Sequence, residues 1–188
     1  MATGGDMAAG KSRVREYVEA LIIAGALAAF IITFVAQSYL VQGSSMEPTL
    51  VDGQRLLVDK LTYRLREPRR GEIIVFHYPA DPRRKFIKRV IGVPGDEVLI
   101  AGQRLILNGK PVQEPYVLGP MRGVFGPVTV PDGHVFVLGD NRNNSDDSRY
   151  PDVGPVPLDL VVGLARLAYW PPSRFGIVRP PEVLAALD

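Results

Sequence analysis

No charged side chain occurs between Ala20 and Met46. The heart of this stretch is ALIIAGALAAFIITFVA (20–36), and it continues through Gln37, Ser38 and Tyr39 to Leu40 and Val41. As a helix, residues 20–41 span roughly 33 Å, enough to cross the hydrocarbon core of a bilayer. A helix buried in a soluble protein would show a polar face, and none recurs here. A cleavable leader would have a shorter apolar core, and no convincing small-x-small site follows this one. The run therefore predicts one membrane-spanning helix, 20–41, with Tyr17 and Tyr39 at interfacial positions. Lys11, Arg13 and Arg15 precede it. The positive-inside rule then places residues 1–19 in the cytoplasm and residues 42–188 outside.

The rest of the chain is built differently. All 17 prolines lie at or beyond Pro48, and together with 19 glycines they form about a fifth of the sequence. That share signals a turn-rich body and falls short of the level typical of disorder. Short apolar runs alternate with turn residues: RLLV (55–58), EIIVFHY (72–78), FIKRVIGV (86–93), EVLIA (97–101), RLILN (104–108), PVTV (127–130), HVFVL (134–138) and LVVGLARLAYW (160–170). Pro79, Gly95-Asp96, Asn108-Gly109, Pro131-Asp132-Gly133 and Pro171-Pro172 separate or end them. Asn108-Gly109 is a strong two-residue hairpin signal, because both positions tolerate positive φ. No amphipathic helices intervene, so the strands predict antiparallel sheets and not βαβ units. The expected fold class is mainly β, preceded by a transmembrane helix.

Composition removes whole classes of chemistry. With no cysteine, disulfides, thiolate zinc sites, iron–sulfur ligation and a cysteine nucleophile are all excluded. His77 and His134 are the only histidines, so a His-rich metal site is excluded as well. A net charge of +2 from 22 bases and 20 acids argues against a dedicated nucleic-acid binder. Residues 5–12, GDMAAGKS, fit the G-x-x-x-x-G-K-S phosphate-loop pattern. That loop needs a strand before it within an α/β unit, so nucleotide binding is not expected. Residues 140–151 superficially match a calcium loop, but Ser145 stands where the sharp turn needs glycine and Pro151 where the bidentate glutamate belongs.

Three clusters carry candidate chemistry. The first, GSSMEPTL (43–50), follows the span directly. Gly43 beside two serines allows a sharp turn, and Pro48 discourages helix. Such a turn can expose a hydroxyl and aim backbone N–H groups at one point; it also suits a plain polar linker. A nucleophilic serine needs a base. His77 and His134 are conceivable, with Asp132 beside His134. The other source is a buried lysine, whose pKa of about 10.4 can fall to about 5–6 on full burial. In the second cluster, KFIKRVIG (85–92), Lys88 shares a strand face with Phe86 and Val90, an apolar setting that favours the neutral amine. A lysine there can equally pack its stem and send its head to water. The third cluster, GDNRNNSDDSRY (139–150), is dense in short polar side chains and reads as a loop braced by its own hydrogen bonds.

In this order and spacing, GSSMEPTL, GEIIVF followed by FIKRVIGVPGD, and GDNRNNSDDSR resemble the bacterial type I signal peptidases, membrane-bound serine proteases with a Ser–Lys dyad. The resemblance runs from about Tyr17 to Trp170. It implies that Ser45 is the nucleophile, Lys88 the general base, and Ser145 a hydroxyl that orients the lysine amine. Asp147 and Arg149 match a pair that braces the site. Tyr39, Val41, Met46, Leu50, Phe86 and Ile87 match positions lining shallow pockets for small residues before the cut. Gly43 falls where some members contribute an oxyanion-binding serine, so backbone N–H groups, notably that of Ser45, would carry more of that role. Gln54 and Glu72 replace aspartates common in the family.

The resemblance further implies a complex antiparallel β-sheet catalytic domain (42–188) with a small β-hairpin cap (97–130). It implies no cofactor or metal. The expected partners are exported preproteins with small residues before the cleavage site, and the lipid bilayer of the cell membrane. Two other readings compete: a Ser–Lys peptidase that cleaves itself or one dedicated partner, and a catalytically silent, membrane-tethered β-domain that binds exported polypeptides. Intact Ser45, Lys88 and Ser145 argue against the silent domain.

Overall fold

A computed structural model describes residues 6–187. It divides into two units, 1–36 and 37–188. In the first, helix α1 (Asp6–Phe30) runs into a π-helical turn, Ile31–Val35. Residues Arg15–Val35 form a stretch long and apolar enough to cross a membrane; its 21 residues measure roughly 31 Å. Leu21, Ile22, Ile23, Leu27 and Phe30 are all exposed. These apolar surfaces suit a lipid environment and not water. Residues 6–12 of the phosphate-loop match lie in this helix, not in a loop after a strand, and Gly5 lies outside the described residues. So do residues 1–5 of the expected N-terminal tail.

The helix expected over 20–41 stops at Val35, and Ala36–Leu40 form strand β1. Hydropathy alone does not separate these cases. Thr33, Phe34 and Val35 are β-branched or aromatic, and the residues after Ala36 alternate in burial as a strand does. Pairing of β1 with the next strand satisfies the backbone groups along one of its edges and joins it to the larger sheet.

The strands that follow are β2 (Arg55–Asp59), β3 (Ile73–Tyr78), β4 (Asp81–Gly92), β5 (Glu97–Ala101), β6 (Arg104–Leu107) and β7 (Lys110–Val112). Then come β8 (Phe125–Thr129), β9 (His134–Leu138), β10 (Val156–Pro157), β11 (Val161–Trp170) and β12 (Gly176–Ile177). Short α-helices α2 (Thr62–Leu65) and α3 (Glu182–Ala185) and 3-10 turns at Leu158–Leu160 and Pro172–Arg174 complete the described elements. The larger sheet runs β1-β2-β11-β3-β4-β9-β10, with β12 paired to β11; the smaller runs β7-β6-β5-β8. All eight expected strands are present. The turn at Asn108-Gly109 takes φ of 53° and 75°, as a two-residue hairpin between β6 and β7 requires.

Packing follows the alternation. On β2, Leu56 and Val58 are buried and Arg55 and Leu57 exposed. They join Val41, Met46, Leu50, Ile73, Val75, Ala165 and Ala168 in one apolar cluster. Ile74, Phe76, Val90, Val135 and Val137 form a second cluster on the opposite face of β3. A third joins the small sheet to the large one through Val98, Ile100 and Leu105 against Ile91, Phe136 and Leu138. Each fully buried side chain of this kind contributes roughly 1.5–3 kcal/mol relative to exposure.

Candidate active site

Strand β4 is the platform of the site. Along one edge it pairs with β3, from Ile73 opposite Arg89 to His77 opposite Lys85. Along the other, β9 pairs only with its last residues, from Arg89 to Gly92. Residues 83–88 therefore present an edge that β9 leaves uncovered. The turn after β1 and the loop after β9 converge beside it. Together they enclose a cleft of about 340 Å³ lined by Val41, Gly43, Ser45, Met46, Arg84, Phe86, Ile87, Lys88 and Ser145, among others.

In this cleft the Lys88 amine donates a hydrogen bond to Ser45 Oγ at 2.7 Å. Lys88 is only 5% exposed, and its Nζ lies 5.2 Å from the centre of the Phe86 ring. Burial pulls its pKa down to about 8, while the carboxylates of Asp147, Asp146 and Asp140 pull it back up. The amine is therefore poised to lose its proton within the physiological range. The histidines are engaged elsewhere: His77 Nδ1 contacts the Pro82 carbonyl and His134 Nδ1 the Asp132 carbonyl.

The loop after β9 is tied to the serine turn by backbone and side chain. Asn141 N–H donates to the Ser45 carbonyl at 3.0 Å. Asn141 Nδ2 donates to the Ser44 carbonyl, and Asn144 Nδ2 to Ser44 Oγ. Asp147 accepts from Gly139 N–H at 3.0 Å and forms an ion pair with Arg149 at 2.7 Å. Arg149 also donates to the Arg142 carbonyl, which closes the loop on itself.

Most of the expected residues come together, with three qualifications. Ser145 lines the cleft, but its buried hydroxyl makes no hydrogen bond, so it does not bond the Lys88 amine here. Leu50 sits behind the cleft in the apolar cluster with Val41 and Met46, and Tyr39 packs against that cluster. Gly43 N–H is taken by the Asp52 carboxylate at 2.7 Å, leaving it unavailable to a substrate oxygen.

Sequence reasoning missed several contributors. A Cβ on Gly139 would lie 2.3 Å from Ser145 Oγ and 2.4 Å from the Ser45 carbonyl, so no side chain fits there. Arg89, beside Lys88, holds Asp140 through two hydrogen bonds of 2.8 and 2.6 Å, with the pair almost fully buried. Arg142 makes a similar two-pronged pair with Glu114, at 2.8 and 2.7 Å. Charged residues in a strand and a polar loop offered a hint, since buried charges need partners; the sequence named no partner.

Residues 14–170 match the family model described as signal peptidase, peptidase S26. The chain belongs to that peptidase family. A probable signal peptidase I-2 from Synechocystis is 45% identical over 87% of this chain and 76% of its own length. A signal peptidase I from Leptolyngbya laminosa is 41% identical over 90% of this chain and 86% of its own. The signal peptidase I of Bacillus licheniformis is 41% identical over 86% and 91%.

Proposed function

We propose that this chain is a signal peptidase that cleaves signal peptides from exported preproteins at the outer face of the cell membrane, with Ser45 as nucleophile and Lys88 as base. One observation carries the assignment: a buried lysine amine, its pKa brought down to about 8, lies 2.7 Å from a serine hydroxyl in an open cleft.

A preprotein segment lies along the uncovered edge of β4 as an added strand. Val41, Met46, Phe86 and Ile87 line the cleft, where the small side chains before the cut sit. The neutral Lys88 amine accepts the Ser45 proton as Oγ attacks the scissile carbonyl. The tetrahedral oxyanion is met by backbone N–H, that of Ser45 first, since Asp52 occupies that of Gly43. Collapse breaks the C–N bond, and the Lys88 ammonium returns its proton to the departing amine. Water, deprotonated by the same amine, then attacks the acyl ester and frees Ser45. Asp147 and Arg149 keep the loop in place, and Ser145 stands ready to bond the amine once substrate fills the cleft.

The membrane helix supports the location. From Val35, the end of the helical segment, to Ser45 is at most roughly 35 Å of extended chain. This is a looser tether than a helix ending at Val41 would impose, yet it keeps the serine within reach of the bilayer surface. The topology has the N-terminus in the cytoplasm, from Lys11, Arg13 and Arg15.

Detergent-solubilised protein incubated with a preprotein whose signal ends in Ala-x-Ala tests the reading. Specific cleavage is expected, and Ser45→Ala and Lys88→Ala should each abolish it. Activity kept by Ser45→Ala removes the nucleophile assignment; activity kept by Lys88→Ala removes the dyad. Cleavage confined to the chain itself would favour a self-processing peptidase.

A further inference from the structure

The segment 113–124 connects β7 and β8 of the small sheet, yet it holds the loop after β9 at four points. Glu114 accepts two hydrogen bonds from the Arg142 guanidinium, whose side chain is fully buried. Tyr116 donates to Glu114 at 2.7 Å, and its ring lies 4.6 Å from the Arg89 guanidinium carbon and 5.9 Å from that of Arg142. Leu118 N–H donates to the Asp140 carbonyl. Asn143 accepts from Arg122 N–H and donates to the Pro120 carbonyl.

Arg142 is the pivot of this arrangement. Its Nε donates to the carbonyl of Gly139, the residue packed against Ser45 and Ser145. Its own carbonyl accepts from Arg149, the partner of Asp147. Arg89, which holds Asp140, directly follows Lys88 on β4. Hydrogen bonds, close packing and backbone adjacency thus link Glu114 to both members of the proposed dyad, although Glu114 does not line the cleft.

We propose that Glu114, acting through Arg142, is a positioning residue for catalysis: the small sheet sets the geometry of the Ser45–Lys88–Ser145 cleft through this buried pair. The inference rests on the Ser–Lys reading above. A guanidinium without its carboxylate pulls the loop toward other acceptors, and a displacement of about 1 Å at a reacting atom can cost about a hundredfold in rate. Because Glu114 lies outside the cleft, the loss falls on kcat and leaves KM nearly unchanged.

Steady-state cleavage of an Ala-x-Ala preprotein by full-length detergent-solubilised enzyme provides the test, with thermal unfolding measured alongside. Glu114→Gln should lower kcat about ten- to a hundredfold with KM within about threefold of wild type. That variant leaves a buried charge unpaired, so it also loses stability. The double variant Glu114→Gln/Arg142→Gln removes the unpaired charge. It should regain most of the thermal stability while its kcat stays low. Recovery of kcat together with stability would make the pair a fold-stabilising contact only, and so would an unchanged kcat in folded Glu114→Gln. If Glu114→Gln does not fold, the double variant alone decides, by a low kcat at wild-type KM or by a normal one. Failure of the wild-type enzyme to cleave the preprotein is a separate result and strikes the Ser–Lys reading itself.

Discussion

A lysine amine in water keeps its proton up to about pH 10.4, and at Lys88 burial brings that value down to about 8. The ammonium cannot accept the serine proton, so the rate should rise with pH through about 8 and level off above it. Asp146 is exposed, lines the same cleft and favours the ammonium. Removing its charge in Asp146→Asn lowers the Lys88 pKa further, and the rising limb moves to lower pH. The pH dependence of kcat/KM measures both. A limb near 10 in the wild type, or an upward move in the variant, contradicts the account. At this scale the sequence was informative where a rule is local. Alternation along 86–90 put Lys88 on an apolar face, and the structure buries it there. It was silent about Gly139, because the atoms that forbid a side chain there belong to Ser145 and Ser45. It was equally silent about Glu114, whose partner lies 28 residues away.

Elements were legible in proportion to their length and their freedom from proline. The eight short apolar runs bounded by turn residues are all strands, and β4 extends further toward its N-terminus than expected because Pro82 and the charges of 83–85 disguise its start. The strands that went unseen are β1, hidden in the apolar run, and the short pieces β7, β10 and β12, two of which contain proline. Register is another matter, because it depends on contacts between distant segments. β11 bridges β2 and β3, and near Gly163 it passes so close to β2 that a Cβ would lie 2.4 Å from the Asp59 carbonyl oxygen. Backbone is the obstacle there, and it cannot swing aside as a side chain does. Gly163→Ala should therefore cost about 2 kcal/mol or more and lower the thermal midpoint. Glycine-to-alanine changes at Gly43 or Gly95 meet no neighbouring atom within 4 Å and strain only the backbone, so each should cost less. Equal midpoints for all three variants would remove the close approach at Gly163 as the cause.

For the whole molecule, the consequence of joining a membrane-length helix to a peptidase unit is a matter of concentration. The unit from Gln37 onward contains the two sheets, the three apolar clusters and every residue of the proposed dyad and cleft. Nothing in its chemistry needs α1, so a chain beginning at Ala36 should keep its β-sheet circular dichroism and cleave a short soluble Ala-x-Ala peptide with kcat/KM within about threefold of the full chain. A preprotein embedded in the same bilayer is different. Tethering enzyme and substrate to one surface replaces a bulk encounter by a local one at an effective concentration in the millimolar range, worth about 10²- to 10⁴-fold when the geometry allows both to engage. The shortened chain should therefore lose about a hundredfold or more on preprotein in vesicles. It should lose far less on the same preprotein in dilute detergent, where the shared surface is gone. Equal losses on soluble peptide and membrane-bound preprotein would show that the helix supports the folded domain. Full activity of the shortened chain on both substrates would show that Ser45 reaches its substrates without the helix.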